Sequence, residues 1–162
     1  MPTPTYTALA NITLGSSASS VTFSSIPATY RDLVLVHAGT TSNASVNTIL
    51  ARLNGDSGSN FFQVAMTGDG SATSSFTFTG TGVSAGLSRS NEVSVNTTTI
   101  MDYSATDKHK TALSRHNNSA TAVRAAATRW ANTAAVTSIV LVMDTGATFS
   151  SGTTFALYGI AS

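Results

Sequence analysis

Apolar residues in this chain come in runs too short for helices. Strings rich in Val, Ile, Thr, Phe and Tyr are broken by Gly, Ser, Asn or Asp about every ten residues, a rhythm that marks many short strands closing into a sandwich or barrel. It predicts strands over Tyr6–Leu14, Ser19–Ser24, Asp32–Gly39, Thr48–Asn54, Phe61–Thr67, Ser75–Gly80, Glu92–Tyr103, Thr111–Asn117, Ala122–Trp130, Ser138–Asp144 and Thr153–Ile160. The expected fold is all-β: a single antiparallel β-sandwich, jelly-roll-like, with about 8–11 strands, occupying residues 6–162 behind an extended arm at residues 1–5. One stretch competes. Ala120–Ala135 (ATAVRAAATRWANTAA) is rich in helix formers and spaces Val123, Ala126, Ala127, Trp130 and Ala134 as a helix would.

Turn residues divide the strands for identifiable reasons. Asn54-Gly55-Asp56 is expected to close a hairpin, because Asn and Gly tolerate the positive φ angles of a type I′ turn. Ile26-Pro27 ends the second strand, since Pro donates no ladder hydrogen bond. Gly68-Asp69-Gly70 and Gly80-Thr81-Gly82 are predicted as exposed loops.

Two strands are apolar on both faces. Leu33, Leu35 and His37 alternate with Val34, Val36 and Ala38, and Ile139, Leu141 and Met143 alternate with Val140 and Val142. A sandwich covers one face of each strand, so the second needs a loop, an arm or another subunit, and an oligomer is expected. His37, between Leu35 and Gly39, is predicted as a buried, hydrogen-bonded imidazole.

Composition narrows function. Charged residues make up 9% of 162 residues, far below the usual figure of about 25%, while 27 Thr and 24 Ser supply the polarity. Two Lys and six Arg are scattered and the net charge is +1, so no basic stripe exists to neutralise phosphates and nucleic acid is not an expected partner. No run approaches the ~20 apolar residues of a membrane span, and residues 1–7 (MPTPTYT) lack the charged start and apolar core of a secretion signal. With no Cys, disulfides and thiolate sites are absent.

Motifs for chemistry are weak throughout. Gly86-Leu87-Ser88-Arg89-Ser90 lacks the last Gly of a nucleophile elbow, and Gly80–Gly86 misses the phosphate-binding G-x-G-x-x-G by one residue. Seven carboxylates are scattered singly at strand ends and loops, three His stand apart, and Asn54–Asn60 alternates oxygen ligands without the pattern of a calcium loop. No catalytic residue, metal site or cofactor is predicted. Surfaces are a better prospect. Asp107-Lys108-His109-Lys110 is the densest charge cluster, Phe61-Phe62 must point to opposite faces of one strand, and Trp130 is the sole Trp. With Pro2 and Pro4 of the stiff arm and the adjacent Tyr6, these give the predicted interface set: Pro2, Pro4, Tyr6, Phe61, Phe62, Lys108, His109, Lys110 and Trp130.

Three stretches together resemble small tailed-phage virion proteins: Val21–Val36 (VTFSSIPATYRDLVLV), Ala51–Phe61 (ARLNGDSGSNF) and Gly152–Ile160 (GTTFALYGI). Ala135–Ile139 (AVTSI) is similar to the penultimate strand of that group. The resemblance lies in strand and turn residues and brings no catalytic residues. It implies a β-rich, often trimeric virion protein, a strand rather than a helix at residues 122–130, and a capsid decoration (cement) protein bound to the major capsid protein. A tail-fibre or receptor-binding module is the alternative, touching host glycans through loops at Asp69–Ser75 and Gly80–Ser90 with Tyr103 or Trp130. A small carbohydrate-active enzyme using two of the carboxylates is a lesser one.

Overall fold

The computed structural model describes residues 5–118 and 122–161. They form twelve strands: β1 (Tyr6–Thr13), β2 (Ser20–Phe23), β3 (Asp32–Gly39), β4 (Asn47–Leu53), β5 (Phe61–Gly68), β6 (Thr73–Gly80), β7 (Val83–Ser88), β8 (Ser94–Met101), β9 (Lys110–Asn118), β10 (Ala122–Trp130), β11 (Ile139–Met143) and β12 (Thr154–Ile160). No helix occurs among the described residues. Eight strands form one sheet in the order β1-β12-β3-β8-β9-β10-β5-β6, and four form a second in the order β2-β11-β4-β7. Every pairing is antiparallel. The fold is therefore an all-β sandwich of unequal sheets.

Helix propensity loses at residues 122–130 because both edges of β10 find partners along their whole length. Ala122 to Trp130 pair with Asn118 to Lys110 on one side, and Val123 to Trp130 with Gly68 to Phe61 on the other. Two full ladders outweigh the few tenths of a kcal/mol per residue that separate helix formers from the rest.

The Asn54-Gly55 turn has the expected positive φ angles, 53° and 73°, and the Asp56 N–H bonds the Leu53 carbonyl at 3.0 Å. It does not close a hairpin. β4 belongs to the small sheet and β5 to the large one, so the turn is a corner between layers. The Asn54 side chain fixes that corner: Oδ1 accepts from the N–H groups of Thr137 (2.8 Å) and Ser138 (3.2 Å), and Nδ2 donates to the Ala135 carbonyl (2.8 Å).

Between the sheets, Leu33, Leu35 and Ile100 meet Ile49, Leu53 and Ile139 in one continuous core, each full burial contributing about 1.5–3 kcal/mol. β6 contributes nothing to that core. It projects past the small sheet as an overhanging edge.

The strand count exceeds the expected eight to eleven because of β7, which was predicted as part of an exposed loop. All six of its residues are buried. At Gly86 the large sheet leaves no room for a side chain: a Cβ there would lie 2.7 Å from Cγ of Asn96. β7 pairs with β4 on one side alone. Its other edge is met by side chains rising from the large sheet: Gln63 Nε2 donates to the Gly82 carbonyl (3.0 Å), the Ser84 N–H to Gln63 Oε1 (3.2 Å), Thr98 Oγ1 to the Ala85 carbonyl (3.2 Å), and the Leu87 N–H to Asn96 Oδ1 (3.1 Å). A buried strand edge without partners costs about 1–3 kcal/mol per orphaned group, so these side chains are structural necessities.

Candidate functional site

That seal inverts the usual polarity of the large sheet. Because side chains alternate along a strand, β5 sends Phe61, Gln63 and Ala65 inward and leaves Phe62, Val64 and Met66 outside. β9 turns Ser114 and His116 inward and Leu113 outward, and β10 turns Thr128 inward and Val123, Ala125 and Ala127 outward. Polar groups are inside because β7 needs them. The displaced apolar groups stand in water: Val64 is 53% exposed, Met66 63%, Leu113 49% and Val123 67%.

The outer face they share is creased. A concavity of 440 Å³ runs between Val64, Met66, Leu113, Ala125 and Ala127, with Thr97 and Thr99 as hydroxyl neighbours and Arg115 at its rim. A second, of 630 Å³, continues past Phe62 and Arg129, where the Arg129 guanidinium lies 4.7 Å from the centre of the Phe62 ring. Among the described residues, β5, β8, β9 and β10 place two charges on this face, Arg115 and Arg129, and no carboxylate.

Five of the seven carboxylates are engaged elsewhere. Asp56 accepts the Trp130 indole N–H at 2.7 Å and also holds the Gly58 N–H and the Asn60 amide, and these bonds, the indole first, pull its pKa below the usual carboxylate value. The same bonds make residues 54–60 a tied turn. Asp69 caps the β5–β6 turn through the N–H groups of Ala72 (2.7 Å) and Ser71 (2.9 Å), which lower its pKa. Asp32 receives the Asp102 N–H at 2.9 Å, Asp102 faces Lys108 at 3.4 Å, and Glu92 faces Arg89 at 3.6 Å. Among the described residues no group of three His, Cys, Asp or Glu side chains gathers as a metal site would need.

Both buried histidines belong to the β7 seal. The His37 ring lies 5.1 Å from that of Phe155, with Nδ1 3.0 Å from the Asn96 amide nitrogen, and burial pulls its pKa down to about 4. As expected from sequence, it is a buried, bonded imidazole. His116 Nε2 donates to the Ser84 carbonyl at 3.0 Å, and burial lowers its pKa to about 4 against the opposing pull of that bond.

The predicted interface set does not converge. Pro2 and Pro4, with most of the proposed arm, lie outside the described residues. Phe62 lies on the creased face. Tyr6 is 58% exposed but sits on β1, seven strands away from β6 across the sheet. Lys108 and His109 are exposed in the turn between β8 and β9. Phe61, Trp130 and Lys110 are corrected to the interior: Phe61 and Trp130 stack at 6.1 Å beneath the small sheet, and Lys110 Nζ turns inward to donate to the carbonyls of Lys108 (2.9 Å) and Thr133 (3.1 Å). Tyr103 is also buried, its hydroxyl donating to the Pro27 carbonyl. Neither it nor Trp130 is available to stack on a sugar, and most of the predicted glycan loop at residues 80–90 is buried β7. Sequence reasoning missed Val64, Met66, Leu113 and Val123. Their alternation with Gln63, Ala65 and Ser114 was the signal, but it reads as core until the needs of β7 are known.

Phe61→Ser and Phe62→Ser separate the two faces. Phe62→Ser is expected to leave stability within about 1 kcal/mol of the parent in urea unfolding, while Phe61→Ser opens a cavity and buries a hydroxyl, making it the destabilising member of the pair. The chain matches no protein-family model, and a search of curated proteins finds no match.

Proposed function

We propose that this chain is a structural protein of a tailed-phage particle, acting as a capsid decoration (cement) protein that lays the outer face of its large sheet on the major capsid protein lattice. The observation that carries this reading is the inverted polarity of β5, β8, β9 and β10, which leaves a creased apolar face with two Arg and no carboxylate. Seven large exposed side chains (Phe62, Val64, Met66, Val95, Met101, Leu113 and Val123) populate it. Together they amount to several hundred Å² of apolar surface, the upper range for a monomer and close to the ~800 Å² that one partner gives to a standard interface. Virion structure as the setting rests on the resemblance of residues 21–36, 51–61 and 152–160 to phage proteins.

The proposed action is mechanical. A protein that binds only the assembled shell stabilises that shell by mass action and needs no reaction. The complementary patch on the shell is apolar, with acidic groups opposite Arg115 and Arg129.

The test is copy number in purified particles, measured by quantitative mass spectrometry against the major capsid protein, followed by rebinding to particles stripped of this protein. Near parity with the shell subunit, and rebinding lost in Met66→Asp but kept in the parent, is the expected result. Absence from the particle would end the reading, and a few copies matching three- or sixfold tail symmetry would replace decoration with a tail role.

A further inference from the structure

Two sheets have four edges, and three of them are protected. β7 is sealed by Gln63, Thr98, Asn96 and His116. β2 has four residues, and β1 is interrupted by a bulge between Ala8 and Ala10. Short strands, bulges and covered edges are the usual devices against edge-to-edge pairing. β6 has none of them. It runs unbroken for eight residues, Thr73-Ser74-Ser75-Phe76-Thr77-Phe78-Thr79-Gly80, without a bulge, a Pro or a charged residue, and seven of the eight are exposed.

The free backbone groups can be assigned. The Asp69 N–H bonds the Ala72 carbonyl at the β5–β6 turn, and the Ala131 N–H bonds the Asn60 carbonyl at the other end of β5. Antiparallel pairs alternate between bonded and non-bonded, so both ends give the same phase: Ser74, Phe76, Phe78 and Gly80 bond to β5, and Ser75, Thr77 and Thr79 direct N–H and C=O away from the sheet. A row of this kind is satisfied by another extended strand.

We propose that this strand is β6 of a second copy, paired antiparallel about a two-fold axis through Thr77. The sequence is close to a palindrome about that residue. Thr77 faces the partner's Thr77, Phe76 faces the partner's Phe78, and Ser75 faces the partner's Thr79. Phe76 and Phe78 already stack at 5.9 Å on the overhanging inner side, 37% and 36% exposed. Pairing brings four rings together there, while the hydroxyls of Ser75, Thr77 and Thr79 form a ladder on the other side. β6 carries no charge that would oppose its own image. An isologous pairing closes at two copies, so this dimer takes the place of the trimer expected from the resemblance.

Thr77→Pro and Thr77→Lys test the assignment. Among the described residues the Thr77 N–H has no partner within its own subunit, so Pro is compatible with the folded edge, yet it removes the central donor from both copies; Lys keeps the backbone but sets two ammonium groups face to face. The parent is expected to sediment as a dimer in the micromolar range, with the amides of Ser75, Thr77 and Thr79 protected from hydrogen exchange. Each variant is expected to weaken the dimer at least about a hundredfold with an unchanged circular dichroism spectrum. Should Thr77→Pro fail to fold, Thr77→Lys and the amide protection of the parent decide alone. A monomeric parent, dimers that survive Thr77→Lys, rapidly exchanging Thr77 amides or an open-ended ladder of polymers would each overturn the two-fold. Met66→Asp alters the apolar face and leaves the β6 backbone intact, so failure of the shell-binding reading is distinguishable from failure of this one.

Discussion

Acidification from neutral pH to about pH 4 is expected to lower the unfolding free energy by about 3 kcal/mol for each of His37 and His116, since both pKa values fall from 6.5 to about 4 on folding. The cause is burial. The His37 ring packs against Phe149 and Phe155 with no partner for Nε2 among the described residues, and His116 has Nε2 on the Ser84 carbonyl and Nδ1 unpartnered among them, with the Arg124 charge adding a smaller push in the same direction. Each ring is therefore neutral in the folded state and gains a proton on unfolding below pH 6.5. The unfolded chain binds more protons between pH 6.5 and pH 4, so stability is complete above that window, falls through it, and loses nothing further to these two groups below it. Both rings contact the seal on β7, through Asn96 and Ser84, so the loss is expected to release β7 first. Urea unfolding at intervals across the window measures the effect. The double variant His37→Gln, His116→Gln is expected to flatten the profile, and a parent whose stability does not change between pH 6.5 and 4 would refute the buried neutral histidines.

Legibility in this chain follows sequence distance. All eleven strands read from turn residues and alternation are present within two residues at each end, because a strand's limits are set by local Gly, Pro, Asn and Asp. Polarity inversion is not local. Gln63 is inward because it bonds Gly82 and Ser84, 19 and 21 residues away, and His116 because it bonds Ser84, 32 residues away. Until β7 is known to cross the large sheet, Val64 and Met66 read as core and Gln63 as surface. β7 itself was illegible because Ser84, Ala85 and Gly86 are small and turn-like in composition, and at Gly86 the reason lies ten residues away, where Asn96 leaves no room for a Cβ. The interface set failed in the same way. Trp130, Phe61 and Lys110 look like surface anchors only while their inward partners, Asp56, Trp130 and the Thr133 carbonyl, remain unidentified.

Trp130→Ala is expected to cost about 3–5 kcal/mol, the range for removing a large aromatic from a packed core. The side chain is 1% exposed and nearly parallel to Phe61, with 11° between the ring planes. It also joins two distant segments, since its N–H holds Asp56 in the corner that carries the chain from the small sheet to the large one. The two contributions can be separated. Trp130→Phe keeps most of the apolar volume and loses the bond, freeing Asp56 to turn to water, and is expected to cost about 1–2 kcal/mol. Asp56→Ala keeps the indole but leaves its N–H without an acceptor and unties the Gly58 and Asn60 contacts, an expected loss of about 1–3 kcal/mol. Because the chain has one Trp, its fluorescence follows unfolding of the parent and of Asp56→Ala, and circular dichroism follows the two Trp130 variants. If Trp130→Ala cost no more than Trp130→Phe, the ring would not be core, and the interior assignment of residues 61 and 130 would fail with it. A cost confined to Trp130→Ala, with Asp56→Ala neutral, would instead show that the corner is held by Asn54 and its bonds to residues 135–138, leaving the indole as packing alone.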